Sequence, residues 1–277
     1  MPAANSEARE SRALWLFVGV VLGLPVLYWL VFYLAERAGW ALPRFLSGSI
    51  RSYGPTFAAI AALSYSGGRD ALRDLWSSVI RWRAPGRLWA LVFLGPLAVI
   101  VVIFGVVRAV APESLAPGDV NPLKLVAIFV VMIFLDGPLG EEPGWRGYFL
   151  PALMRRYDAF VATLLVAVVW YLWHLPHYHV DGRLTDVTFL WKYLLFMFAL
   201  AFMHTWLFKR SGGSVLLNIV FHNMTNFIVL SGFTLFPALR EETLDNTIYF
   251  ICTCAVGALA AWSVWRDDRR PSAKSPL

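Results

Sequence analysis

The chain has 277 residues, of which 58% are hydrophobic and only 15% are charged. Soluble domains are about 45–50% apolar and about 25% charged, so this composition excludes a soluble globular protein and predicts an integral membrane protein with many spans. The net charge of +6 would suggest a nucleic-acid partner in a soluble chain. In a membrane protein, basic cytoplasmic loops account for it, and no nucleic-acid partner is predicted.

Apolar segments recur along the whole chain. A membrane span needs about 20 consecutive apolar residues. Eight segments reach or approach this length, and they predict spans over residues 13–35, 53–65, 88–111, 123–154, 160–175, 189–208, 214–236 and 248–265. The first follows a charged start and lacks a small-residue cleavage site, which predicts a retained span and not a signal peptide. The predicted fold class is all-α, a polytopic bundle of about eight transmembrane helices that forms a single membrane domain over residues 1–277.

Two stretches differ from a plain span. Between residues 69 and 83, basic residues alternate with Leu, Val, Ile and Trp, which predicts an amphipathic helix lying in the headgroup plane. The segment 123–154 is too long for one untilted span and contains several prolines. We therefore expect a kink or break near Gly137–Pro138.

Lys and Arg are distributed unevenly between the predicted loops. With eight spans, both termini lie on one side, and the segments on that side carry 16 of the 24 Lys and Arg residues. Cytoplasmic loops carry an excess of these residues. The sequence therefore predicts a multi-pass protein of the cell membrane with both termini in the cytoplasm.

Ionisable side chains interrupt the apolar pattern within residues 139–150. In a bilayer such groups cost several kcal/mol each and are usually functional, although a polar loop between two spans is the alternative. Glu142 and Arg146 are four residues apart on one helical face, so we expect a structural ion pair. Glu141 points about 100° away from Glu142 around the helix and stays free for chemistry.

Six further polar residues lie in apolar surroundings, namely His174, His204, His222, Asn218, Asn223 and Asn226, and three of them, His174, His222 and Asn226, carry the argument. Glu141 and His174 lie about 16 residues before and after the turn near residue 157, so in an antiparallel pair they reach a similar depth. Alone, His174 also fits a hydrogen-bonded core histidine. His222 and Asn226 share one helical face, where they either hold helices together or point donors into a cavity.

Together these motifs resemble a known family. They are Glu-Glu-Pro-Gly-Trp-Arg-Gly at 141–147, Trp-His-Leu-Pro at 173–176, Ser-Gly-Gly-Ser at 211–214 and His-Asn-Met-Thr-Asn at 222–226. In this order and on these spans, the sequence is similar to the CAAX-protease and bacteriocin-processing (CPBP) family of intramembrane glutamyl endopeptidases, which includes the Ras-converting CAAX endopeptidase. The resemblance covers residues 123–226, the expected catalytic core.

The resemblance implies an eight-helix bundle with an intramembrane cavity, and it implies roles for four residues. Glu141 activates a water, His174 assists it, and His222 with Asn226 stabilises the oxyanion. Amide hydrolysis does need a base and donors aimed at the developing negative oxygen. The implied substrate is a membrane-associated peptide or protein in the lipid bilayer, prenylated in some family members. Bacteriocin-like and other membrane peptides are equally open.

No cofactor is predicted, although zinc is an alternative. Glu141, His174 and His222 could form a two-histidine, one-carboxylate zinc site with an open fourth position. The chain lacks the His-Glu-x-x-His pattern that puts two ligands on one helical face, so a metal-free mechanism is preferred. His177 and His179 extend a His-x-x-His-x-His spacing into a loop, where metal binding is the less favoured interpretation.

Several other polar residues receive no catalytic role. Glu241–Glu242 is interpreted as the solvated face of a loop, and His204 as a helix-packing residue. Asp136 lies near the expected cavity mouth and is not assigned. Cys252 and Cys254 are two apart and face different sides of a helix, so we expect neither a disulfide nor a metal site.

Two other functions are alternatives to the endopeptidase. A non-catalytic peptide- or lipid-binding immunity protein of the same fold would hold a ligand without cleaving it, and the complete set of catalytic residue types argues against it. A small transporter would use Glu141 and the histidines to relay protons. Many transporters are built from repeats, and no internal repeat is visible in this sequence.

Overall fold

The computed structural model describes residues 2–40, 51–118, 121–135, 137–180, 183–240 and 243–269, and these residues form helices and turns without any strand. The α-helices are α1 Pro2–Arg37, α2 Gly54–Ser66, α3 Gly68–Val79, α4 Gly86–Val110, α5 Pro122–Leu135, α6 Pro138–Gly144, α7 Leu150–Met154, α8 Ala159–Val180, α9 Val187–Arg210, α10 Val215–Leu235 and α11 Thr243–Arg269. A π-helical turn, Trp145–Phe149, joins α6 to α7. Short 3₁₀ turns cover Pro112–Leu115, Arg183–Thr185 and Pro237–Arg240.

Long apolar helices confirm the all-α, polytopic membrane architecture. Within the described ranges, seven helical stretches are long and apolar enough to span a bilayer: Ser6–Arg37, Gly86–Val110, Pro122–Met154, Ala159–Tyr178, Val187–Arg210, Val215–Leu235 and Thr247–Arg269. The remaining predicted span corresponds to α2, which has only 13 residues. At 1.5 Å per residue α2 is about 20 Å long, less than the hydrocarbon core of about 30 Å.

The start of α1 and the end of α11 lie at the same face of the bundle. Glu10, near the start of α1, forms an ion pair of 3.5 Å with Arg155 in the turn before α8. Asp268, at the end of α11, accepts a 2.9 Å hydrogen bond from the backbone N–H of Phe160 in the first turn of α8. We call this side, which holds residues 9–11, 155–160 and 268, the terminal face. Which compartment it borders stays a prediction.

Helix α2 returns the chain to the terminal face although it is short. The backbone oxygen of Tyr65, near its C-terminal end, accepts a 2.8 Å hydrogen bond from Arg9 Nε. The chain between Arg37 and Tyr65 therefore comes back to the face at which α1 began. This predicted segment thus has the direction that the prediction requires, and whether α2 crosses the whole bilayer stays a prediction.

The predicted amphipathic helix is α3, which ends at Val79. Its apolar side faces the bundle, where Leu75 and Val79 are buried, while Trp76 is exposed. Arg81, just after the helix, donates a 2.6 Å hydrogen bond to the carbonyl oxygen of Gly212 in the turn before α10. The placement of α3 in the headgroup plane stays a prediction.

The break expected near Gly137–Pro138 is present. Helix α5 ends at Leu135 and α6 begins at Pro138. Gly137 between them has φ +119°, a backbone conformation that residues with a Cβ rarely adopt. Asp136 lies outside the described residues. The π-helical turn that follows α6 is a feature found frequently at functional sites.

Helix α2 packs backbone to backbone against α6. A Cβ on Gly140 would stand 2.6 Å from the carbonyl oxygen of Ser52, and one on Gly144 would overlap the backbone of Pro55. Thr56 Oγ1 adds a 2.6 Å hydrogen bond to the carbonyl oxygen of Gly140. The small residues of both segments thus permit a close contact that fixes the segment carrying the two glutamates.

Candidate active site

The predicted ion pair between Glu142 and Arg146 is confirmed. Arg146 Nη1 lies 3.0 Å from Glu142 Oε1 and 3.1 Å from Oε2, and both side chains are completely buried. The guanidinium carbon also lies 4.4 Å from the centre of the Trp170 ring. Removing one partner of a pair this deeply buried strongly destabilises the folded protein, because the charge of the other partner is left uncompensated.

Glu141 points away from this pair, as its position on the helix predicts. Its Oε2 accepts hydrogen bonds from Trp170 Nε1 at 2.9 Å and from Trp145 Nε1 at 3.3 Å. Its Oε1 accepts none from the part of the chain that the structure describes. One oxygen of the buried carboxylate is therefore held in place and the other is available for a proton.

The available oxygen faces the backbone of Gly137. A Cβ placed on this glycine would stand 2.7 Å from Glu141 Oε1 and 3.9 Å from His222 Nε2. The volume beside the Gly137 Cα is thus bordered by a carboxylate oxygen and an imidazole nitrogen. A residue with a side chain at position 137 would fill this volume.

His222 is oriented by the ion pair. Its Nδ1 donates a 2.8 Å hydrogen bond to Glu142 Oε1, and this fixes the ring with Nε2 pointing to the other side. Asn226 lies one turn further along α10, on the same helical face. It is half-buried and makes no hydrogen bond to the residues described here. Its amide is available to a bound group.

His174 is linked to Glu141 through Trp170. Its Nδ1 donates a 2.9 Å hydrogen bond to the carbonyl oxygen of Trp170, whose indole holds Glu141. The ring also packs edge-on against Trp173, with the centres 4.6 Å apart. Trp170 therefore contacts both residues, whereas the direct meeting of Glu141 and His174 stays a prediction. His174 keeps Nε2 as an acceptor.

His204 belongs to the polar cluster, which corrects its interpretation as a helix-packing residue alone. It is fully buried, and its Nδ1 donates a 2.9 Å hydrogen bond to Asn218 Oδ1 and lies 3.7 Å from Glu142 Oε2. Its ring centre is 5.7 Å from that of His222. A signal was present in the sequence, because both histidines lie nine residues from Gly213 and so reach the same depth on neighbouring helices.

The side chains whose metal-ligand atoms converge differ from the zinc site of Glu141, His174 and His222 that the sequence suggested as an alternative. Within the described part of the chain they are Glu142, His204 and His222, whose ligand atoms lie within 4.8 Å of one another. Arg146 already occupies this carboxylate at 3.0 Å, so a cation would meet a guanidinium. These residues fit a metal poorly. Two of the other sequence interpretations lie outside the described residues, those for the side chain of His179 and for the pair Glu241–Glu242. Cys252 and Cys254 are both free thiols.

Nothing in the sequence indicated that Arg51 lies near the site. It precedes the second apolar segment, where a basic residue ordinarily belongs to a loop. Its Cζ lies 5.6 Å from the centre of the Trp173 ring. Its Nε and Nη1 atoms are buried without a hydrogen-bond acceptor among the described residues, and so is Trp173 Nε1.

A cavity of about 370 Å³ lies between α4, α9, α10 and α11. Its lining is almost entirely apolar and contains Phe221 and Thr225, the neighbours of the polar face of α10. It contains none of the four predicted catalytic residues. An apolar cavity thus lies next to the polar cluster, and a cavity that holds the four predicted catalytic residues stays a prediction.

Comparison with known proteins relates this arrangement to a family. Residues 122–228 match the family model described as type II CAAX prenyl endopeptidase Rce1-like. The chain is 31% identical over 103 residues to CAAX prenyl protease 2 of Methanococcus maripaludis, an alignment that covers 35% of this chain and 38% of that protein. The matched part therefore spans well under half the length of this relative. The resemblance seen in the motifs is confirmed over residues 122–228.

Proposed function

We propose, from the similarity of residues 122–228 to type II CAAX prenyl endopeptidases, that the protein is an intramembrane endopeptidase acting on a membrane-associated peptide or protein. The observation that carries the proposal is the geometry around Gly137. Glu141 is fixed through one oxygen, while the other oxygen and His222 Nε2 border the same volume. A water bound there would contact a base and lie next to a second polar group.

In the proposed reaction, Glu141 Oε1 takes a proton from the water as its oxygen attacks the peptide carbonyl carbon. The carbonyl oxygen becomes negative and accepts hydrogen bonds from Asn226 and from His222 Nε2. Because Nδ1 of His222 donates to Glu142, the ring must carry both protons for Nε2 to donate. The C–N bond then breaks, and the proton held by Glu141 passes to the leaving amine.

His174 has a supporting role in this proposal. Its Nδ1 proton is committed to the Trp170 carbonyl, so Nε2 is the atom that can accept a hydrogen bond from the water or the substrate. Glu142 and Arg146 act through His222, since their pair holds the imidazole ring. No step of this mechanism uses a metal ion.

The substrate class that we propose is a prenylated peptide. The relative that shares 31% identity over the matched segment is a CAAX prenyl protease. The apolar cavity beside α10 offers about 370 Å³ to a hydrocarbon chain, and Phe221 in its wall lies next to His222 in sequence. An isoprenoid chain in this cavity would place the peptide attached to it near the polar cluster.

Purified protein in lipid vesicles tests the proposal with a farnesylated synthetic peptide that ends in Cys-Val-Ile-Ser. We expect cleavage by the wild type, and a loss of about 10²–10⁴-fold in Glu141→Gln, the range for removal of a general base. Glu113→Gln changes an exposed carboxylate in the same way and serves as the matched control. Full activity of Glu141→Gln would exclude Glu141 as the base, and the absence of cleavage by the wild type would favour a non-catalytic binding protein.

A further inference from the structure

Three buried donor atoms beside the proposed active site have no acceptor among the described residues. They are Nε and Nη1 of Arg51 and Nε1 of Trp173. Buried polar groups in folded proteins are nearly always hydrogen-bonded, and a buried charge needs a partner more than a neutral group does. A guanidinium with two such N–H groups, packed against an indole N–H that also lacks an acceptor in the described part of the chain, matches the requirements of an anion.

The position of Arg51 is fixed by the segment that follows it. Tyr53 Oη donates a 2.9 Å hydrogen bond to the carbonyl oxygen of Phe134, at the end of α5. Thr56 Oγ1 donates to the carbonyl oxygen of Gly140, one residue before Glu141. The segment that carries Arg51 is thus tied on both sides of the break at which the proposed water lies.

Arg51 lies close enough to His174 for a short peptide to reach from one to the other. Its Cζ lies 5.6 Å from the centre of the Trp173 ring, which lies 4.6 Å from the centre of the His174 ring. The guanidinium is therefore no more than about 10 Å from the imidazole. Three extended residues span at most about 10–11 Å.

We propose that Arg51 and Trp173 Nε1 bind the α-carboxylate at the C-terminus of the substrate, an inference that rests on the proposed function. In a C-a-a-X sequence the prenylated cysteine is followed by three residues, the last of which carries this carboxylate. The guanidinium presents two N–H groups in a plane that matches the two oxygens of a carboxylate. Binding at Arg51 would place the bond after the cysteine near Glu141 and would select peptides that end three residues beyond it.

A pair of peptides that differ in one group tests this role. One is the farnesylated peptide ending in Cys-Val-Ile-Ser with a free carboxylate, and the other carries a C-terminal amide. A hydrogen bond to a charged group corresponds to about 10–100-fold in an equilibrium constant. We expect wild-type kcat/KM to favour the acid over the amide by about this factor. In Arg51→Gln the ratio of kcat/KM for the acid to kcat/KM for the amide should fall towards one, mainly because KM for the acid rises.

Two further variants make the result specific. Trp173→Phe keeps an aromatic ring beside His174 and removes the indole N–H together with part of the ring system. It should reduce the acid-to-amide ratio of kcat/KM by less than Arg51→Gln does. Arg73→Gln removes a guanidinium whose side chain is 82% exposed, and it should keep the wild-type ratio.

The outcomes separate this inference from the proposed function. A wild type that cleaves both peptides equally well overturns the carboxylate site and leaves the endopeptidase standing. An Arg51→Gln variant that loses acid and amide cleavage by the same factor also overturns it, because Arg51 would then act on the fold or on the chemistry. Cleavage of neither peptide by the wild type overturns the proposed function, and this inference with it.

Discussion

The indole Nε1 of Trp170 donates a 2.9 Å hydrogen bond to Glu141 Oε2 across 29 positions of sequence. The carbonyl oxygen of the same residue accepts from His174 Nδ1. Trp170 therefore holds both the proposed base and the proposed assisting histidine, and its ring lies against the Arg146 guanidinium. Trp170 takes no part in proton transfer itself, but it positions Glu141, the proposed base, and His174, the residue proposed to assist it.

Trp170→Phe should lower kcat while changing KM little. Phenylalanine keeps most of the aromatic packing but cannot donate to Glu141, so the carboxylate loses one of its two restraints. A hydrogen bond to a charged group contributes about 1.5–3 kcal/mol, which corresponds to about a 10–100-fold decrease in kcat. Steady-state kinetics on the farnesylated peptide measures it.

The matched control for this variant is Trp89→Phe, which removes an indole N–H that donates to the carbonyl oxygen of Trp82 and not to Glu141. It should keep wild-type kcat. If Trp170→Phe raised KM and left kcat unchanged, the indole would be contributing to substrate binding and not to the position of Glu141.

Gly137→Ala should abolish activity by occupying the volume beside Glu141. The new methyl group would stand 2.7 Å from Glu141 Oε1, where the proposed water binds. The positive φ adds backbone strain, which costs about 1–3 kcal/mol of stability for a non-glycine residue. Peptide cleavage and thermal unfolding in the same detergent measure the two effects separately.

Gly68→Ala is the matched control for the strain. Gly68 also has a positive φ, of +63°, but a Cβ there would meet no atom within 4 Å. We expect it to lose stability and keep its activity. Cleavage at the wild-type rate by Gly137→Ala would show that the reacting water binds elsewhere.

Much of the architecture could be predicted because it depends on local patterns. Apolar runs predict helices by their length alone, and the break at Gly137–Pro138 follows from residue types that interrupt a helix. The pair Glu142–Arg146 follows from spacing within one helix. Each of these inferences uses residues that are close in sequence.

The rest of the site depends on how helices rotate and pack against each other, which spacing does not determine. His204 and Trp170 reach Glu142 and Glu141 from other helices, and only tertiary packing decides which face each helix turns inward. Arg51 is harder still to recognise, because its contact with Trp173 depends on the packing of segments far apart in sequence. A basic residue next to an apolar segment ordinarily indicates a loop on the cytoplasmic side.

Arg146→Ala should lower the stability of the fold as well as the activity. It leaves the Glu142 carboxylate buried without its cation, which costs about 3–5 kcal/mol for a buried pair. Thermal unfolding and the yield of monodisperse protein measure this effect. Arg73→Ala, which removes one partner of an exposed pair, is the control and should change the stability by less than about 1 kcal/mol.

A double variant distinguishes the two roles of this pair. Glu142→Gln with Arg146→Met removes both charges, so it should recover much of the stability that Arg146→Ala loses. It should still be inactive, because His222 Nδ1 loses its carboxylate partner. Arg146→Ala with wild-type stability and no activity would show instead that the guanidinium takes part in the chemistry.

Both termini are predicted to lie in the cytoplasm, since the terminal face carries most of the basic residues. A reporter active only in the cytoplasm should function when fused after Leu277. The same reporter inserted into the turn Pro112–Leu115, at the other end of α4, should be inactive. Activity of the inserted reporter together with inactivity of the C-terminal fusion would reverse the orientation. Equal activity of both would contradict the predicted placement of this turn and the C-terminus on opposite sides of the membrane.

Activity should survive exhaustive chelation. The side chains with converging ligand atoms are Glu142, His204 and His222, and Arg146 neutralises the only carboxylate among them. A dication bound there would lie next to a guanidinium, and the Nδ1 atoms facing Glu142 would have to give up their protons. Glu141, held by two indoles with one oxygen available, can serve as a base without such a change. The measurement is peptide cleavage after dialysis against a strong chelator, with the metal content determined in the same samples. Stoichiometric zinc in active protein, with activity lost on stripping and restored by zinc, would refute the metal-free mechanism and leave the endopeptidase assignment intact.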